Sequence, residues 1–298
     1  MFLDERRKGI LFAVLSSFFF AVRSCFIKSA PIEKVETLMF FRFLLDLIFL
    51  APFFLKYRHR LKTKKLSVYL VRSMAVALSI YCSIYGIKHL ALGDAILLQY
   101  TLPLFIPLMS WICYRKKASK RSIYLLFLGF ISLFFLLKPS LDILHIASFA
   151  SLSVGVLGAF MAVTLHQLTK TEHVVALLFY GTVISGMLSV IPCMHSWEPV
   201  SFSVLFIYIA PISIFGLIQQ YAVTRAYAIA APHVVGSLLY LCILFSTVLG
   251  WLFWNESLDA MKILSGLLLI GCGVMMVREN SIHKSSAKES ADTAADFP

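Results

Sequence analysis

Arg23, Arg42, Asp46 and Arg72 interrupt stretches that are otherwise apolar over about 20 residues, the length of helix that crosses a bilayer. A charged side chain at such a position costs roughly 2.5–3.5 kcal/mol on insertion scales, so each needs a partner from protein, water, lipid or solute. Asp46 follows Arg42 by four residues, which on a helix puts the pair on one face, one turn apart. At 1.5 Å per residue, Arg23 and Arg42 each fall roughly 8–9 Å inside the same end of two consecutive, antiparallel helices, and so share a depth. Two guanidinium groups and one carboxylate leave a unit of positive charge. A guanidinium fork matches a carboxylate or phosphate in geometry. Two readings stand together: Asp46 neutralises Arg42 for insertion, or it orients Arg42 towards an anionic group of a solute. Arg72 lies near the opposite end of its stretch, where its side chain is expected to snorkel to headgroups.

The later half of the chain is polar but uncharged at comparable positions: Gln219, Gln220, Ser237, Tyr240, Ser246 and Thr247. Amides and hydroxyls there either hydrogen-bond a solute or bridge helices. Tyr100 and Tyr240 are expected to pack against an apolar or aromatic part of a solute. The candidate substrate-binding set is therefore Arg23, Arg42, Asp46, Tyr100, Gln219 and Tyr240. Catalysis finds no such set: the chain has no H-E-x-x-H, no G-x-S-x-G and no G-x-x-x-x-G-K-[ST]. With one deep acid there is no paired-carboxylate chemistry within the spans, and a carboxylate already paired with arginine is a poor proton carrier. The six cysteines form no C-x-x-C and read as packing residues. The expectation is no enzyme, no cofactor and no metal.

The elements that must carry these residues follow from composition. Of 298 residues, 60% are hydrophobic and 14% charged, against about 25% charged in a soluble domain. The excess is spread over ten stretches, near 9–29, 36–55, 66–87, 93–114, 122–138, 146–168, 174–194, 203–224, 232–254 and 261–278. Strand-like alternation is missing, so the fold class expected is all-α and polytopic, embedded in a lipid bilayer. The net charge of +12 does not call for nucleic acid, because its distribution is one-sided. With the N-terminus inside, nineteen of the 27 Lys and Arg fall in inside segments and five near outside connections. That bias places both termini in the cytoplasm of a bacterial inner membrane. Arg6-Arg7-Lys8 before an apolar run has the look of a signal peptide, but the run exceeds an h-region and carries Arg23, so it reads as the first span.

A shift of 140 residues brings like onto like: Pro52 onto Pro192, Ala91 onto Ala231, Tyr100 onto Tyr240, Trp111 onto Trp251 and Lys138 onto Arg278. Five spans per period is an odd number, so the second copy would sit inverted, the architecture of many secondary transporters, with the solute site between the halves. The organisation expected is one repeat over 1–140, a second over 141–278 and a polar tail over 279–298, which reads as disordered.

Several segments carry a family resemblance. In the first half they are Phe41-Arg42-Phe43, Arg72, Tyr85-Gly86, Leu90-Ala91, Ala95, Pro103 and Gly129. In the second they are Leu178-Phe179-Tyr180, Ala226-Tyr227-Ala228, Ala231, Tyr240, Gly250 through Glu256, Gly266 and Ile270-Gly271. On these the chain resembles the EamA family of the drug/metabolite transporter superfamily, along nearly its whole length. The Gly250-Trp251-Leu252-Phe253 segment is also similar to the family's S-adenosylmethionine uptake carriers. The resemblance implies movement of a small organic metabolite by alternating access, or broad-specificity efflux. Substrate, direction, coupling ion and oligomeric state stay open. The family's acidic residue ending its fourth helix is replaced by Arg115-Lys116, whereas Glu256 is kept in the ninth. The topology yields a test: a reporter active only in the cytoplasm works after Lys65, Lys120 or the C-terminus and is silent near Lys34 and Glu198. Activity at either outer position overturns the orientation.

Overall fold

The computed structural model describes residues 2–57, 63, 66–115, 124–125, 127–129, 131, 146–168, 174–229, 238–256, 260, 263–264, 266–268, 270–271 and 274–275. Most of the fifth expected span and the tail over 279–298 lie outside the described residues. Among those described, all regular structure is helical. The helices are α1 (Phe2–Ser29), α2 (Val35–Lys56), α3 (Leu66–His89), α4 (Leu92–Gln99), α5 (Leu102–Tyr114), α6 (Ile146–Leu168) and α7 (Val174–His195). Next comes α8, a helical rod built of Phe202–Val204, Leu205–Ile209 and Ala210–Ile229, and then α9 (Leu241–Trp254). Five segments are long and apolar enough to cross a membrane: Arg7–Ser29, Val35–Lys56, Leu66–His89, Leu178–His195 and Phe202–Ala226. Three shorter apolar helical stretches, Leu92–Ile106, Ile146–Met161 and Leu241–Trp254, accompany them.

Two helices depart from the sequence expectation. The fourth stretch is not continuous but breaks at Tyr100–Thr101, between α4 and α5. Pro103 stands in the first turn of α5. A proline ring clashes with the carbonyl four residues earlier and gives no N–H, so the helix that starts at Leu92 stops after Gln99. The break is stitched by Thr101 Oγ1, which donates to Leu98 O at 2.8 Å. In α8 the turn over Leu205–Ile209 is π-helical. Pro211 follows it and cannot donate to the carbonyl of Ile207, which relaxes the preceding turn.

Packing crosses the chain's midpoint. The first-half helix α1 packs chiefly on α8 and also on α9, while α6 packs on α3, α4 and α5. The pair α2 and α7 meet, α7 also touches α3, α2 also touches α8, and α4 meets α9. Exchanging α1, α2, α3 and α4–α5 for α6, α7, α8 and α9 maps α1–α8 onto α6–α3, α1–α9 onto α6–α4 and α6–α5, and α3–α7 onto α8–α2, and leaves α2–α7 and α4–α9 as they are. The main apolar cluster likewise draws Leu38, Ile84, Leu92 and Ile96 together with Ile209, Ile212 and Tyr240. The exterior is apolar, with Leu55, Ile146, Ile191, Met194 and Phe202 more than 70% exposed, whereas Ser16, Ser24, Thr37, Ser73, Ser185, Ser213 and Ser246 are buried. Small polar residues at close helix contacts under a greasy surface are the pattern of a bundle solvated by lipid.

Close approach depends on glycine at two crossings. A Cβ on Gly86 would lie 1.9 Å from Ser151 Oγ, and one on Gly155 would lie 2.1 Å from Thr101 Oγ1 and 3.3 Å from the backbone nitrogen of Leu102. Gly155 thus seats α6 against the break between α4 and α5. Gly155→Val should cost about 1–3 kcal/mol through overpacking, read as a lower thermal midpoint in detergent. Gly181→Ala, with no atom within 4 Å of its Cβ, should leave the midpoint unchanged.

Candidate functional site

Three helices deliver the charged cluster. Arg23 comes from α1, Arg42 and Asp46 from α2, and α8 supplies the floor. Arg42 Nε lies 3.7 Å from Asp46 Oδ2, the i,i+4 ion pair expected of the sequence. That separation holds the charges together but is too long for a hydrogen bond, and Arg42 Nε is buried without a hydrogen-bond partner among the described residues. Arg23 Nε is likewise buried and without one. Asp46 is 8% exposed and Arg23 9%. Arg42, Asp46 and Tyr100 all act electrostatically on Arg23, so the two guanidinium groups do share one region of the interior. The cluster holds two positive groups to one negative.

Ser213 of α8 joins the ends of this arrangement. Its hydroxyl donates to Arg42 O at 3.2 Å and lies close enough to Asp46 to act on its carboxylate. One turn on, Gly216 leaves room for Arg23: a Cβ there would stand 3.4 Å from Arg23 Cδ and 3.6 Å from its Nη1. Phe20, one turn before Arg23 on α1, puts its ring 4.8 Å from the guanidinium carbon, within cation–π range. The same ring meets Tyr100 edge-on, with centroids 5.5 Å apart, and Tyr100 meets Tyr240 at 6.2 Å and an interplanar angle of 59°. Cys242, at the start of α9, is buried and lies beside Tyr100. An aromatic row thus runs from the guanidinium groups to the two helix breaks, Tyr100 after α4 and Tyr240 before α9.

Of the residues singled out in the sequence, Arg23, Arg42, Asp46, Tyr100 and Tyr240 are brought together. Gln219 lies lower: its carbonyl accepts from Ser16 Oγ at 3.3 Å, roughly 10 Å along α1 from Arg23. Arg72, on α3, is partly buried, and its Nε has no hydrogen-bond partner among the described residues. Sequence reasoning passed over Phe20, Ser213, Gly216 and Cys242. Ser213 and Gly216 carried a usable signal, small residues three apart on the helix that also bears Gln219. Among the described residues no group of His, Cys, Asp or Glu could hold a metal ion.

Comparison with known proteins agrees with this architecture. Residues 7–138 match the EamA-like transporter family. The pseudopaline exporter CntI of Pseudomonas aeruginosa is 28% identical over 93% of this chain and 99% of its own length. The S-adenosylmethionine uptake transporter of Rickettsia prowazekii is 21% identical over 84% of this chain and 85% of its own. The riboflavin transporter of Brucella anthropi is 21% identical over 81% and 87%. A solved crystal structure superposes with a TM-score of 0.57 over 94% of this chain and 98% of its own, at 13% identity, which shows a shared fold alone.

Charge balance within the cluster is testable by stability. Asp46→Leu strands two buried guanidinium groups and should cost about 3–5 kcal/mol, whereas Arg42→Met with Asp46→Leu removes both charges and should cost less. Thermal midpoints in detergent measure this; an Asp46→Leu protein as stable as the parent would mean that Asp46 is not the counter-charge. A helical bundle with an apolar exterior and a likeness to membrane carriers along most of the chain converge with the match of its first half, residues 7–138, to the EamA-like transporter family.

Proposed function

We propose that this chain is a secondary transporter that moves a small organic anion across the bacterial inner membrane by alternating access. Arg23 and Arg42 hold the anionic group, and Asp46 and Ser213 orient Arg42. Phe20, Tyr100 and Tyr240 pack on the solute's apolar or aromatic part, with Gln219 further along the same path. The observation that carries this reading is the cluster itself: two guanidinium groups, each with a buried Nε that has no hydrogen-bond partner among the described residues, against a single carboxylate. In a low-dielectric interior such a surplus calls for an anion.

Alternating access rests on ten spans arranged as two inverted five-helix repeats, with both termini cytoplasmic. Four observations support that arrangement. The helix breaks at Tyr100 and Tyr240 stand 140 residues apart. So do Arg115 and Asn255, the left-handed residues at φ 52° and 51° that end α5 and α9. Helices α2 and α7 each contain a proline, Pro52 and Pro192, 140 residues apart. The pairing of helices also survives exchange of the halves. Broken helices at a repeat interface are where secondary transporters bind solutes. Export is favoured as the direction, because the relative named an exporter aligns over more of the chain and at higher identity than those named for uptake.

Purified protein in proteoliposomes, offered a panel that includes carboxylated metabolites, their amides, S-adenosylmethionine and riboflavin, tests the proposal. The parent should move at least one anionic member. Arg23→Gln should weaken that solute by about tenfold or more, the worth of a charge-assisted hydrogen bond, and weaken its amide less. Arg42→Lys should impair transport with expression intact, since a point charge does not replace a bidentate fork. Normal transport of the carboxylated solute by Arg23→Gln refutes the anion site.

A further inference from the structure

A second ionic cluster lies at the C-terminal end of α1, the end away from Arg6, Arg7 and Lys8. Glu256, just past the end of α9, reaches across to α4 and accepts the backbone N–H of Leu92 with both oxygens, at 3.0 and 2.8 Å. Lys28, in the last turn of α1, donates to the same carboxylate and to Leu90 O at 2.9 Å. Its ammonium also stands 5.2 Å from the Trp254 ring. The left-handed Asn255, φ 51°, turns the chain so that Glu256 folds back over α9, and Glu256 N closes the turn on Gly250 O at 3.4 Å. Gly250 makes the space: a Cβ there would lie 2.4 Å from Glu256 Oε2. One carboxylate therefore ties together the ends of α1 and α9 and the first turn of α4, elements of both halves.

The 140-residue offset gives this pair no counterpart. Shifted back, Glu256 falls on Lys116; shifted on, Lys28 falls on Leu168. Leu168 is buried against Tyr69 and Tyr180 at the end of α6. In the sequence both members of the ion pair are thus replaced at the matching positions, one by a charge of the opposite sign and one by an apolar residue.

We propose that Lys28 and Glu256 form a one-sided latch, which holds the outer end of the path between the halves shut and must open for a solute to pass that end. This rests on the alternating-access reading above and adds which end is locked and by which groups. Cys25, one turn before Lys28, lies within electrostatic reach of both latch residues and is a built-in reporter. In the full-length chain with the other five cysteines replaced by serine, a membrane-impermeant maleimide should label Cys25 slowly. Lys28→Met and Glu256→Gln should each raise the labelling rate by about tenfold, the effect of losing one charge-assisted bond on a closed–open balance. Glutamine retains an acceptor for Leu92 N, so the Glu256→Gln result isolates the charge. The two substitutions change the charge around the thiol in opposite senses, so only exposure accelerates both. Lys28→Arg, which preserves the pair, should label at the parental rate. A rate that rises in one of the two variants or in neither overturns the latch, as does acceleration seen only in protein that has lost its folded elution profile. The readout needs no solute, so a failed transport assay leaves it standing, and unchanged labelling leaves the anion site standing.

Discussion

Inside a lipid-solvated bundle there is no bulk water to complete the partners of a buried charge, and the arrangement around Arg23 and Arg42 is shaped by that shortage. One carboxylate, Asp46, faces two guanidinium groups. The remaining satisfaction is assembled from weaker parts: the Phe20 ring under Arg23, the Ser213 hydroxyl beside Asp46, and the absence of a side chain at Gly216. These come from α1 and α8, so the charged cluster also dictates which helices must touch. The extensive packing of α1 on α8 is the structural counterpart of that requirement.

Association of helices in lipid draws little on the hydrophobic effect, because the tails outside are as apolar as the side chains inside. What remains is close packing and short polar bridges, and both are visible at the contacts between halves. Ser185 donates to Ser73 O at 2.9 Å, Ser73 to Tyr180 O at 3.4 Å and Ser17 to Leu238 O at 3.2 Å. Each joins a helix of one half to a residue of the other. Gly86 and Gly155 let α6 approach α3 and the α4–α5 break. Since the strongest packing runs across the chain's midpoint, neither half carries a complete interior of its own. That interdependence suits a protein in which the halves must rock about a shared site without separating.

The helix breaks give the bundle its functional asymmetry between rigid and adjustable parts. The break at Tyr100–Thr101 interrupts the fourth stretch near the cluster's aromatic row, and Tyr240 stands at the start of α9 in the matching place. Breaks of this kind are tolerated in lipid only where protein or water supplies partners for the freed backbone, as Thr101 does for Leu98 O. In the proposed transporter they put Tyr100 and Tyr240 where small backbone rotations change the space beside the guanidinium groups.

Much of this was legible in the sequence, because lipid imposes strong and local rules. Apolar stretches of span length, the one-sided Lys/Arg distribution, the Arg42–Asp46 spacing and the recurrence of Tyr100 at Tyr240 are all consequences of helix geometry and transfer energy that need no tertiary information. The described helices fall on the stretches that composition marked, and most of the fifth stretch and the tail lie outside the described residues. Other features were beyond such rules. Proline marks a difficulty in a helix but not its resolution: Pro103 ends α4 ahead of itself, whereas Pro107 sits within α5 and Pro211 follows a π turn. Ser213 and Gly216 look like ordinary small residues until α8 is laid against α1. Glu256 was marked in the sequence only as the acid kept in the ninth helix, and the approach of α1 and α4 gives it Lys28 and the Leu92 N–H. Periodicity and charge act along one chain segment and can be read there; a partner contributed from 60 to 230 residues away is chosen by packing, which a single segment does not encode.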